Sequence, residues 1–119
     1  MKNKNLLGII ENNPELKAII ENNEVLDIDF VVDIDKAEDL KKYLNKDEAY
    51  DSVEYSNICF HGGYYEKQEI LEEFGFDVEE VYEYGGYEEV NMEADRCQAA
   101  LTLIEEVENL LEAIKEIEE

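Results

Sequence analysis

The sequence predicts a single small α+β domain with short N-terminal helices, a three- to four-stranded sheet and a long C-terminal helix. Three observations predict it. Residues 25 to 34 alternate apolar and acidic side chains with a period of two, Gly85-Gly86 joins two stretches rich in Val and Tyr as a hairpin turn would, and from Met92 onward apolar residues recur at spacings of four and three. At 119 residues and 45% hydrophobic content the chain is long enough for one core and short for two.

The N-terminal region carries an internal echo, Gly8-Ile9-Ile10-Glu11-Asn12-Asn13 and Ala18-Ile19-Ile20-Glu21-Asn22-Asn23. Each copy reads as a short helix closed by an Asn pair, and two copies are too few for a solenoid. Asn13 before Pro14 marks a helix start, since Asn accepts a first-turn amide and Pro suits the first position. In the strand over 25–34, Leu26, Ile28, Phe30, Val32 and Ile34 face the core while Asp27, Asp29, Val31 and Asp33 face water. Asp35 followed by Glu38 starts a helix to about Asn45, with Ala37, Leu40, Tyr43 and Leu44 on its apolar side. Val53 to Phe60 reads as a second strand ending at His61-Gly62-Gly63. A helix from about Tyr65 to Phe74 stops at Gly75. Val78–Tyr84 and Tyr87–Val90 form the hairpin, although Asp77-Val78-Glu79-Glu80 also suits the cap of a helical turn. Asn91 caps the last helix, Met92 to about Glu118, with Leu103, Val107, Leu110, Ile114 and Ile117 beside Ala100, Ile104 and Leu111. That face is broad enough to pack across the sheet or to form a homodimer with a second copy.

Charge is the dominant compositional feature. Thirty-three acids against ten Lys and Arg give −23, near the border of disordered compositions, and the periodicity favours folding. Residues 1–46 hold ten acids and seven lysines, whereas residues 47–119 hold twenty-three acids and three bases. Such a surface repels phosphate, so no direct binding of nucleic acid or of an anionic membrane is expected. No apolar run reaches the roughly 18 residues of a membrane span, and the short apolar stretch before Glu11 makes no secretory signal. The chain is expected in the cytoplasm, with Cys59 and Cys97 reduced.

Candidate chemical sites are few. Cys59 and His61 share one strand face, yet no third orienting group or oxyanion site accompanies them, and adding Cys97 gives no zinc spacing. Asp27, Asp29, Asp33 and Asp35 lack the turn and Gly of a calcium loop and read as a solvated strand face. Gly62-Gly63 and Gly85-Gly86 lack phosphate-loop spacing. No catalytic residue, metal or cofactor is expected. Tyrosine is the unusual aromatic, with eight in all, and Tyr interleaved with Glu suits an interface as well as a sheet edge.

A duplex carries one charge per roughly 1.7 Å, so 23 charges correspond to about 39 Å of DNA. A compact chain of this length has a radius of gyration near 13 Å and a diameter of about 35 Å. In this acidity, concentrated in residues 47–119 and rich in Glu, Asp and Tyr, the chain resembles phage-encoded DNA-mimic inhibitors of bacterial defence, the anti-restriction and anti-CRISPR proteins. The resemblance implies a non-enzymatic inhibitor that occupies the basic nucleic-acid-binding surface of a nuclease such as a CRISPR effector or restriction enzyme. An antitoxin or immunity protein would use the same physics against a nuclease toxin, and a helix-pairing structural module is a further reading. The residues expected to carry partner binding are Glu66, Glu69, Glu72, Glu73, Glu79, Glu80, Glu83, Glu88 and Glu89 for charge, with Tyr82, Tyr84 and Tyr87 as anchors.

Overall fold

The computed structural model describes residues 5–53 and 58–118 and contains helices only among them. In chain order these are α1 (Leu6–Glu11), α2 (Pro14–Asn22), α3 (Ile28–Val31), a 3-10 helix (Ala37–Leu44), α4 (Lys46–Ser52), α5 (Tyr64–Glu73) and α6 (Val78–Glu118). The expected sheet is absent from the described residues, and the architecture is all-α rather than α+β.

The clearest expected strand fails for a local reason. Asp27 is better satisfied as a helix cap than on a strand face, and its carboxylate accepts the Phe30 N–H at 3.0 Å to open α3. Burial then follows the turn: Val31, assigned to the water face, is fully buried, while Val32, assigned to the core, is 54% exposed. The second expected strand, 53–60, falls partly on residues 54–57, outside the described residues. Its described ends are not strand: Val53 is buried where α4 stops, and Phe60 donates its N–H to Asp95 at 2.8 Å. The hairpin is overturned as well, because both of its arms are helical and belong to α6.

The helical expectations fare better. The echo becomes α1 and α2, with Asn13 at the junction and Pro14 in the first turn. Asn13 does not cap α2 through its side chain; its amide donates instead to the Ile9 carbonyl at 2.7 Å, closing α1. The helix expected from Asp35 to about Asn45 forms as the 3-10 helix, and α4 follows it as a helix the sequence reading did not anticipate. The 3-10 helix starts one residue later than expected, with the Asp39 carboxylate accepting the Lys36 N–H at 3.2 Å. Residues three apart eclipse in a 3-10 helix, which aligns Ala37, Leu40 and Tyr43 toward the core and leaves Leu44 exposed. Asn45 then accepts the amides of Asp47 and Glu48 and starts α4.

Every layer rests on α6. Leu6, Ile10, Leu16, Ile20, Leu26 and Leu40 pack against Ala99, Ala100, Leu103, Val107, Leu110 and Ile114. Leu103, Val107, Leu110 and Ile114 of the broad apolar face are therefore buried in this core, with no sheet for the face to cross among the described residues, while Ile117 stays 39% exposed. A second core joins α5 to the first half of α6 through Ile70, Leu71, Val90, Ala94 and Cys97. Tyr50 and Phe74 touch both cores, their rings 6.2 Å apart. Because α6 underlies both cores and runs on without a break from Tyr87 to Glu118, the molecule is a rod of 54 × 22 × 21 Å with a radius of gyration of 16.3 Å, longer than the compact expectation. No helix among the described residues is long and apolar enough to cross a membrane.

Candidate partner-binding face

The α5–α6 end of the rod gathers the residues singled out by the sequence. Residues 64–89 hold ten acids and one lysine. α5 stops in a two-bond left-handed cap: Gly75, at φ 86°, donates to the Glu72 carbonyl at 3.0 Å, and Phe76 donates to the Leu71 carbonyl at 3.0 Å. Asp77 then accepts the Glu79 N–H at 3.0 Å and turns the chain into α6. The opening turns of α6 thus run back beside α5. At Gly86 the helix is interrupted, with φ 69° and ψ −154°, a conformation open essentially only to glycine.

Tyr87 follows that break at once. Its ring lies 5.1 Å from Tyr64 of α5 and 5.7 Å from Tyr82 of the opening turns, the second pair edge to face. These rings wall a cleft of about 850 Å³ that is also lined by Gln68, Glu72, Asp77, Val78, Glu79 and Glu83. Helical spacing, not strand alternation, puts Glu79, Tyr82 and Glu83 on one side. Tyr82 and Tyr87 keep 46% and 57% of their surfaces exposed.

The twelve expected residues separate into groups. Glu72, Glu79, Tyr82, Glu83 and Tyr87 line the cleft, while Glu69, Glu80 and Glu88 are exposed outside its lining, as is Tyr84 at 83%. Glu66 is committed internally, accepting the Gly63 N–H at 2.6 Å to cap α5. Glu73 is paired with Lys46 at 3.0 Å. Glu89 is half-buried, and loss of water together with the adjacent Glu93 carboxylate raises its pKa above the usual range. Gln68, Asp77 and Val78 were not anticipated and Tyr64 was not among the expected anchors; the signal for Tyr64 and Gln68 was the i, i+4 row Tyr64–Gln68–Glu72 on one helix face.

A polar junction beneath this end also escaped the sequence reading. Arg96, the only arginine, stacks 3.9 Å over the Tyr50 ring and donates to the Tyr50 carbonyl at 3.0 Å. The Tyr50 hydroxyl donates to Glu93, and burial with that carboxylate raises its pKa. Beside it burial pushes the Cys97 thiol up to about 12, so this sulfur is a neutral packing group. Cys59 and His61 are exposed in the segment before α5, and Cys97 is buried in α6. Among the described residues no three His, Cys, Asp or Glu side chains gather as a metal site. No protein-family model, curated protein or solved structure matches the chain.

Proposed function

We propose that this chain is a non-enzymatic acidic binding protein that acts in the cytoplasm by occupying the basic nucleic-acid-binding surface of a partner, a nuclease of bacterial defence being the partner best suited. One observation carries the reading. Twenty-three net charges distributed along a 54 Å rod amount to one per about 2.3 Å, close to the roughly 1.7 Å per charge of duplex DNA. Rigid helices hold those carboxylates at fixed spacings, which lowers the ordering cost a flexible acidic tail would meet in a phosphate-binding groove.

The test is competition. The chain is titrated into a preformed complex of labelled duplex with a basic nuclease, and release of the duplex is followed. Release is expected, with potency falling as salt rises. Reversing Glu79, Glu80, Glu83 and Glu88 to Lys should weaken competition by about tenfold or more, as expected for several rim charges acting together. Reversing the exposed Asp29 and Asp33, in and just after α3 and outside the cleft lining, should change it little. If the aspartates matter and the glutamates do not, the face is misassigned; if wild type releases no duplex from a panel of such nucleases, the proposal fails.

A further inference from the structure

We infer that the tyrosine-walled cleft between α5 and the opening turns of α6 receives an arginine side chain from a basic segment of the partner. This rests on the acidic-binding reading and names the contact that would anchor it. The cleft's volume, about 850 Å³, lies within the roughly 300–1,000 Å³ of ligand-binding clefts, and no Lys or Arg is among its described lining residues. A general acidic surface attracts any cation, but ring faces discriminate. Tyr64, Tyr82 and Tyr87 form a contiguous aromatic wall, and Glu72, Glu79 and Glu83 stand around it. A planar guanidinium stacks on a tyrosine face while its N–H fork pairs a carboxylate, a combination a lysine ammonium matches less well. The chain already contains the stacking half of this arrangement once: the Arg96 guanidinium lies 3.9 Å over the Tyr50 ring and donates to the Tyr50 carbonyl.

The test separates ring recognition from bulk charge by using charge-neutral substitutions in the full-length chain. The probes are acetylated, amidated Gly-Arg-Gly-Arg-Gly and its lysine counterpart, with binding measured by calorimetry at fixed moderate salt. Tighter binding of the arginine peptide is expected. Tyr82→Leu and Tyr87→Leu should each weaken it by about 3- to 30-fold, the range of a cation–π contact, whereas Tyr87→Phe should bind like wild type. Helix content and melting temperature, read alongside, show which variants are folded, and either leucine variant suffices if the other is not. Unchanged affinity in a folded leucine variant overturns the inference, as does equal loss on neutralising Asp29 and Asp33. Duplex release from the nuclease is measured on the same variants. Release that survives the leucine substitutions removes the cleft but keeps the acidic face, while wild type that binds the arginine peptide yet releases no duplex keeps the cleft and removes the nuclease reading.

Discussion

Glu106 occupies a position on α6 where a glutamate is ordinarily solvated, between Glu105 and Val107, yet it is the one charged residue buried among those described. Its two oxygens accept the N–H groups of Glu24, Val25 and Leu26 at 2.7, 2.9 and 2.8 Å, so a single carboxylate holds the whole α2–α3 connection against the helix. Removing it orphans three amides. Glu106→Ala should therefore lower stability by about 3 kcal/mol, and Glu106→Gln by about half as much, since one carboxamide oxygen remains as acceptor while its NH₂ faces a donor. Urea unfolding followed by circular dichroism gives both values. Cys97 makes a second residue-scale prediction. The native chain should expose one thiol to a disulfide reagent, Cys59, and the denatured chain two. Because the folded pKa of Cys97, about 12, exceeds the ordinary value of roughly 8.5, its contribution is fully present below about pH 8.5 and is lost as pH rises from there through the folded value. Melting temperature should fall along that alkaline limb, and less steeply in Cys97→Ala.

At the scale of elements, Gly86 decides how α5 and α6 meet. A side chain at φ 69° and ψ −154° is strained although open space surrounds the position. Gly86→Ala should cost about 1–3 kcal/mol, measurable in the same unfolding assay, and should move Tyr87 relative to Tyr82, altering peptide binding at the cleft. Gly85→Ala meets the Glu89 side chain at 2.6 Å and tests crowding in place of backbone strain. The element boundaries show what the sequence made legible. The paired short helices, α5 with its Gly75 stop and the lower two thirds of α6 were readable because caps and apolar spacing agreed. The strands were misread where Val, Ile and Tyr suggested β structure but tertiary partners decided otherwise. Residues 26–30 alternate apolar and acidic side chains, yet the bonds to Glu106 and the Asp27 cap are invisible to a period-two pattern. In 78–90 the Gly pair suggested a turn, and one of the two does break the helix, but Val78 and Val81 at helical spacing pack on the second core. Most of the acidic residues of the candidate face were legible by composition. Their grouping was not, because it depended on a helix in place of a hairpin.

For the whole molecule, the net charge of −23 is offset internally by little: Lys46–Glu73 is the one ion pair among the described residues. Repulsion along the rod is therefore stored in the folded state, and screening over a Debye length of about 10 Å at 0.1 M salt relieves it. Melting temperature should climb as sodium chloride is raised; a flat or falling trend would mean the charges are spaced widely enough to ignore one another. The dependence of both cores on α6 also bears on how the chain is made. Glu24 and Glu106 lie 82 residues apart, so at a synthesis rate of about 5–20 residues per second the apolar faces of α1 and α2 wait roughly 4–16 s for the segment that covers them. Helices made early in this chain thus wait for a partner made late, and chaperone capture of stalled nascent chains should fall sharply once residues 99–114 have emerged.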